Sequence, residues 1–301
     1  MRLIEILRHP DERERRVAIE FVEELTELVG PRPLSDHLWL DLQSDASPGP
    51  VLIRVADGQH TLAVAQISAT NQSAALEIVV RPDLGDVDRI HADAFETAID
   101  TFQRLGGGSL IWWIDNPTDG LRALADRHQL LQTRELHEMR CSLPLDVHAA
   151  VATRSFVPGI DDQAWLAVNN RAFATHGEQG GWTIETLHQR FAEPWFEPAG
   201  FRMYEVAGRL AAFCWTKIDG DADPVLGEIY VIAVDPDFHG QGLGRQLTLA
   251  GLDSISEHRV STATLYVDAD NATAISLYSR LGFTIHRTRL AFSADLPSSE
   301  G

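Results

Sequence analysis

The chain has 301 residues, with 25 Lys and Arg against 44 Asp and Glu and a formal net charge of −19 at pH 7. At about 150 residues per domain the length suggests two domains, and so acidic a surface repels phosphate backbones, which argues against a nucleic-acid partner. No apolar run approaches the roughly 18–20 residues of a membrane span. The opening MRLIEILRHPDERERR turns charged too early for a signal peptide, and two cysteines, Cys141 and Cys214, cannot form a disulfide framework. A reduced, cytoplasmic, monomeric protein with no membrane partner is expected. Lys217 is the only lysine; every other cationic side chain is Arg.

In chain order, Ala18, Phe21, Val22, Leu25 and Leu28 recur at helical spacing over 11–29, and Gly30-Pro31 stops that helix. Strand-like runs at 51–56 and 61–67 are joined through Asp57-Gly58, a strong hairpin signal. A strand at 75–80 leads through Arg81-Pro82-Asp83 to a helix near 88–104, then a strand at 109–115, a helix through Leu121, Leu124 and His128, and a closing run at 135–143. The second half repeats this order. A helix over 161–174 precedes a hairpin at 201–218 through Ala207-Gly208, and a strand at 226–234 leads to Asp235-Pro236-Asp237 and a helix. A strand at 262–269 then leads to Asp270-Asn271 and a helix ending at Leu281-Gly282-Phe283. Pro82 with Pro236 and Asn116 with Asn271 mark corresponding points of an internal duplication, so the chain reads as two copies of one α+β unit. The copies span 1–143 and 159–301, with a linker over 144–158.

Chemistry concentrates in LGEIYVIAVDPDFHGQGLGR at 226–245. His239-Gly240-Gln241-Gly242-Leu243-Gly244-Arg245 opens a helix, and a glycine-rich turn at a helix N-terminus aims backbone N–H groups at one anion, typically a phosphate. A plain surface turn and a dinucleotide loop are the competing readings. The dinucleotide loop fails on detail, because Arg245 stands where its third glycine belongs and the turn does not directly follow the strand. Glu228, within an apolar strand beside Leu226, Ile229 and Val231, suits a general base of raised pKa. It can equally be a carboxylate on the open face of a half-solvated strand, and Glu77 occupies the comparable place in the first copy. By strand periodicity Glu228, six residues before Val234, shares that residue's face. Twelve histidines include no metal-ligand spacing, so no metal is expected.

The loop, together with Asn271-Ala272-Thr273-Ala274, Leu277-Tyr278 and Leu281-Gly282-Phe283, resembles the GNAT acetyltransferase superfamily. His239 stands where that family usually has Arg or Gln. The resemblance implies two tandem GNAT domains of α+β class, each a mixed, mainly antiparallel sheet flanked by helices. It implies acetyl-CoA as co-substrate, with backbone groups of Ile232, Ala233 and Val234 along the acyl arm. The pyrophosphate would lie on 239–245, with further contacts from Asn271, Ala272, Thr273, Ala274, Ile275 and Ser276. Glu228 is then the base and Tyr278 the acid that protonates the departing thiolate. The first copy's loop, LGDVDRIH, lacks paired glycines and carries Asp83, Asp86 and Asp88 nearby, so it is expected to bind acetyl-CoA weakly or not at all. HGEQGGW at 176–182, LGEIYV at 226–231, LYVDADNATAISLYSRLGF at 265–283 and, more weakly, PLSDH at 33–37 and ELHEMR at 135–140 extend the resemblance to a two-domain branch that acetylates the cysteinyl amine of Cys-GlcN-Ins. That branch implies substrate contacts at Asp36, Glu178, Lys217, Glu228 and Tyr266: carboxylates accepting from hydroxyls and ammonium, Lys and Tyr donating to oxygens. Asp36 can equally be a helix cap. Another amine (a peptide N-terminus, an aminoglycoside or a polyamine) or a non-catalytic acetyl-CoA-binding module are the alternatives.

Overall fold

The computed structural model describes residues 2–29, 32–44, 49–70, 73–174, 179–220 and 225–299, with Asp219 described by its backbone alone. The elements are, in order, β1 Arg2–Leu7, α1 Glu12–Val29, α2 Asp36–Gln43, β2 Val51–Asp57, β3 His60–Ala69, β4 Ala74–Val80, α3 Val87–Arg104, β5 Gly108–Asp115, α4 Asp119–Arg127 and β6 Leu131–Ser142. There follow β7 Arg154–Ser155, α5 Asp162–Ala172, α6 Ile184–Phe191, β8 Phe201–Val206, β9 Arg209–Asp219, β10 Leu226–Val234, α7 Leu243–Glu257, β11 Thr262–Asp268, α8 Ala272–Arg280 and β12 Thr284–Leu296. Two compact units divide the chain: Met1–Leu136 with Arg287–Gly301, and His137–His286.

In the first unit β1, β2, β3 and β4 pair antiparallel in sequence. β4 then pairs with β5 in parallel from Ala74↔Leu110 to Leu76↔Trp112, and β12 closes on β5 antiparallel from Arg289↔Asp115 to Leu296↔Gly108. One face is covered by α3 and α4, whose Ile90, Phe95, Ala98, Leu121 and Leu124 pack on Ala65, Leu76 and Trp112. The other is covered by α1 and α2 through Phe21, Leu25, Leu38 and Leu42 on Leu52, Val64 and Val79. The second unit repeats the core order. β8, β9 and β10 pair antiparallel, and β10 pairs in parallel with β11. α7 and α8 bury Leu247, Leu252, Ile255 and Tyr278 on one face, and α5 and α6 bury Trp165 and Leu187 with Phe201, Phe213 and Trp215 on the other.

The α+β class and the repeated mixed sheet stand as read from the sequence. The hairpin turns do too, with Gly58 at φ 60° and Ala207-Gly208 at φ 51° and 77°, the positive pair that a two-residue loop matching strand twist needs. The elements not legible in the sequence include β1, α2, α6 and the two-residue β7, which falls in the expected linker. β1 carries its exposed apolar side chains Leu3, Ile4 and Ile6 on a run with no strand-like alternation. α2 and α6 have eight residues each, too few to display several helical periods. Ser35, not Asp36, holds the N-cap position of α2, without a side-chain capping bond. The run at 135–143, read as closing the first copy, mostly belongs to the second unit: Met139 and Cys141 enter the core beneath α7. The stretch read as a linker is laid along α7, where Asp253 takes the Ala149 N–H at 3.0 Å and His148 Nδ1 lies 2.7 Å from the same carboxylate.

Candidate active site

The second unit's site begins with an irregularity in β10. Its register to β9 shifts between Ile229 and Val231, so Tyr230 is an extra residue and the side chains beyond it change faces. Ile229, Ile232 and Val234 therefore pack toward α7 and α8, whereas Val231 and Ala233 pack toward α5 and α6. Glu228 lies opposite Lys217 in the register, on the face of Val231 and Ala233. The expectation that Glu228 shares the face of Val234 is thus corrected: strict period-two counting fails across a bulge.

The parallel pairing of β10 with β11 runs from Gly227↔Ala263 to Ile229↔Leu265, while β10 continues to Val234, held on its other side by β9 through Val234↔Ala212. The β11-facing backbone edge of Ile232, Ala233 and Val234 lies beyond that last paired rung, the place where an extended ligand can hydrogen-bond as a strand would.

At the end of β10, Asp235 is fully buried; it pairs with Arg171 of α5, takes the Asp237 N–H at 3.0 Å and donates its own N–H to Ala211 O at 2.9 Å. These contacts fix the strand end from which the loop departs. His239 folds back, Nε2 bonding Val234 O at 3.0 Å, so its ring braces the turn. Gly240 and Gly242 have φ of 77° and 75°, with open space where a Cβ would stand, and Gly242 is the N-cap of α7. Any other residue type there would be strained and would crowd the concavity. α7 and α8 carry no acidic residue in their first turns, unlike α1 through α6. In a chain of net charge −19 those two first turns set no carboxylate of their own against the partial positive charge of the helix N-terminus. Gly244 stands against Leu277, a Cβ there meeting Leu277 Cδ1 at 3.5 Å, so the first turn of α7 abuts α8.

Asn271 caps α8 through its side-chain oxygen, which takes the Ala274 N–H at 3.1 Å, and Asn271, Ala272, Thr273 and Ser276 are exposed around that N-terminus, with Ile275 half-buried. Tyr278 is buried on α8 against Phe283, at 5.8 Å between ring centroids, and burial pushes its phenol well above the usual tyrosine range. It stays protonated at any physiological pH. Glu228 is half-buried on the opposite face of the sheet. Lys217 Nζ stands 5.1 Å from the Trp195 ring and 5.8 Å from that of Tyr230, whose hydroxyl takes a 2.8 Å bond from Arg190 Nε. Trp195, Tyr230 and Arg190 form a wall that sequence reading missed: Tyr230 shares the face of Glu228 by plain alternation, but Trp195 and Arg190 reach it from α6 and the segment after it. Tyr266 is 38% exposed and its hydroxyl reaches Glu138. Asp36 lies in the first unit, paired with Arg32 in the first turn of α2. Glu178 lies outside the described residues, but their edge is anchored: Asn169 Nδ2 donates to Gln179 O at 2.9 Å, and Asn170 exchanges bonds of 2.8 and 3.0 Å with the backbone of Trp182.

Residues 165–283 match the Acetyltransferase (GNAT) family. The mycothiol acetyltransferase of Thermobispora bispora is 37% identical over 292 residues, covering 93% of this chain and 95% of that protein. That of Streptomyces coelicolor is 38% identical over 303 residues, covering 98% and 96%, and that of Acidimicrobium ferrooxidans 34% over 313, covering 99% and 100%. The chain belongs to the mycothiol acetyltransferase family. It is therefore a GNAT acetyltransferase, and the repeated α+β unit is the GNAT fold in tandem. Among solved structures, a GCN5-related N-acetyltransferase from Sphaerobacter thermophilus superposes with TM-score 0.70 at 17% identity, covering 99% of this chain and 97% of that one. A tandem GNAT protein from the clavulanic acid biosynthesis pathway gives 0.69 at 14%, covering both chains fully. At those identities the likeness is one of fold.

Among the described residues no helix is long and apolar enough to cross a membrane, and no group of three or more His, Cys, Asp or Glu is disposed to hold a metal ion. Cys141 and Cys214 are free and buried, and burial pushes both thiols up to about 12. Neither is a candidate nucleophile at neutral pH.

Proposed function

We propose that the second unit transfers the acetyl group of acetyl-CoA to the cysteinyl amine of Cys-GlcN-Ins, the closing step of mycothiol assembly and the activity of a mycothiol synthase. The observation that carries the reading is the pairing of an opened β10 edge with a helix N-terminus kept free of carboxylates. The first suits an amide-rich extended arm and the second a pyrophosphate. The donor set fits: Gly240, Gln241, Gly242, Leu243, Gly244 and Arg245 supply backbone N–H groups and one guanidinium, and the exposed N-terminal turn of α8 flanks them.

In this reading the N–H groups along Ile232–Val234 polarise the thioester carbonyl. Glu228 takes the proton of the attacking amine, directly or through water, as the carbon–nitrogen bond forms. When the carbon–sulfur bond breaks, Tyr278 gives its proton to the thiolate, a task for which a phenol held protonated by burial is suited. Base and acid stand on opposite faces of the sheet, so a thioester threaded between β10 and β11 meets the amine from one face and releases sulfur toward the other. Lys217 and Tyr266, on the face of Glu228, bind the polyol, with Glu178 as a further contact carried over by position.

A competition assay tests the acceptor: acetyl-CoA is offered with Cys-GlcN-Ins, a peptide N-terminus and a polyamine together. The highest kcat/KM is expected for Cys-GlcN-Ins. A higher value for either competitor removes this acceptor and leaves only the acetyltransferase class.

A further inference from the structure

Glu138, on the β6 segment of the second unit, is 1% exposed, and a carboxylate so buried is costly unless its oxygens are satisfied. Arg140 Nε donates to Oε1 at 2.6 Å, Thr264 Oγ1 stands 3.3 Å from the same oxygen, and the Tyr266 hydroxyl donates to Oε2 at 3.4 Å. Alternation fixes the face. Met139, Ala263, Leu265 and Val267 point into the core beneath α7 and α8, so Glu138, Arg140, Thr264 and Tyr266 emerge on the opposite side. Glu228 and Lys217 occupy that same side, and Thr264 pairs with Glu228 in the β10–β11 register. A polar row therefore crosses four strands from Glu138 through Thr264 and Glu228 to Lys217.

Tyr266 stands one residue beyond the last paired rung, Ile229↔Leu265, where the strands part. A phenol has one O–H to give. With that proton directed inward to Glu138, the oxygen can meet a further group only through its lone pairs. This reverses the sequence expectation that Tyr266 donates to substrate oxygens.

We propose that Glu138 is a positioning residue for the acceptor substrate: by taking the Tyr266 proton it makes that phenol a hydrogen-bond acceptor that selects hydroxyl or ammonium donors. The proposal rests on Tyr266 being an acceptor-substrate contact. Lys217 at the other end of the row donates only, so the row favours a ligand with an oxygen acceptor at one end and hydroxyl or ammonium donors at the other. A carboxylate or phosphate facing Tyr266 is disfavoured.

The test uses the full chain labelled at tyrosine 13Cζ, which carries four tyrosines. Tyr266→Phe assigns the resonance by its disappearance. In Glu138→Gln the Tyr266 resonance is expected to move while the other three stay. An unmoved resonance overturns the link whatever the substrate. Kinetically, Glu138→Gln and Tyr266→Phe are each expected to raise the acceptor KM about tenfold, the scale of one lost hydrogen bond, with kcat and the acetyl-CoA KM within about twofold. The double variant is expected to match Tyr266→Phe alone. Additive losses, or a fall in kcat alone, overturn the proposal. Tyr266→Phe leaves the Glu138–Arg140 pair intact, so it keeps the test open if Glu138→Gln is destabilised. If the wild type prefers an amine other than Cys-GlcN-Ins, that failure belongs to the acceptor assignment; the same cycle run on the preferred amine still decides the role of Glu138.

Discussion

The two units place a glutamate, a turn and a helix at matching points and furnish them differently. After β4, the turn into α3 is lined with acid: Asp86 at the N-cap pairs with Arg2, and Asp88 in the first turn takes the Thr118 hydroxyl at 3.0 Å. After β10, the turn into α7 has two left-handed glycines and no acid in the first helical turn. The strand carboxylates differ likewise. Glu77 is 3% exposed, takes the Ser35 N–H at 2.9 Å and lies 3.3 Å from Arg289. Glu228 is half-buried beside Lys217. One fold thus yields a self-neutralised helix terminus with a carboxylate locked in place, and an open terminus with a carboxylate beside the strand opening. The difference lies in charge placement and burial, not in topology.

Gly242→Glu breaks this contrast most severely, because it forces a side chain at φ 75° and aims a carboxylate at the α7 N-terminus. Calorimetry should show micromolar acetyl-CoA binding at one site per chain, lost at least 100-fold in this variant. Gly85→Glu, in the first unit's turn, should leave it unchanged. Two equal sites would contradict the asymmetry. Next comes Tyr278→Phe, expected to lower turnover by about 10²–10³ with the fold retained, the usual range for a general acid. Full activity in that folded variant would take Tyr278 out of the mechanism.

A smaller effect separates the units by pH. His91 on α3 is buried against Trp112, and burial pushes its imidazole down to about 4 from 6.5. The neutral form is the folded form, so between pH 6.5 and 4 the unfolded chain binds the extra proton. The stabilisation is complete above about 6.5 and is lost as pH falls toward 4, a loss of up to about 3 kcal/mol. Thermal melts across that range should fall steeply for the wild type and less for His91→Leu. Parallel curves would show that His91 does not govern acid stability. The smallest effect expected is that of Asn271→Ala, which removes the α8 cap at a cost of about 1 kcal/mol, seen as a modest drop in Tm. No change in Tm would place the role of Asn271 with the coenzyme alone.

What was legible in the sequence was local. The loop at 239–245 could be read because left-handed turns need glycine, and α8 because Asn271 is a capping residue three positions before the N–H it satisfies. The duplication was legible because element order survives where residues diverge. What was not legible depends on register between distant strands. The bulge at Tyr230 takes Val234 off the face that Glu228 shares with Lys217, and nothing in LGEIYVIAV marks it, since its last five residues are all apolar. Glu138 was likewise invisible as a site residue: its partners Thr264 and Tyr266 lie more than 120 residues away, at sequence separations of 126 and 128. The wall of Trp195 and Tyr230 around Lys217 required the packing of the segment after α6.

The claim that catalysis belongs to the second unit is tested most directly by a matched pair. Glu228→Gln and Glu77→Gln remove the same atom from the corresponding strand carboxylates, and kcat/KM for Cys-GlcN-Ins is measured for each folded variant at saturating acetyl-CoA. Glu228→Gln is expected to lose about 10²–10³. Glu77→Gln is expected to keep wild-type turnover while its Tm falls, because a buried ionic partner of Arg289 has gone. Equal losses, or a loss confined to Glu77→Gln, would contradict the account.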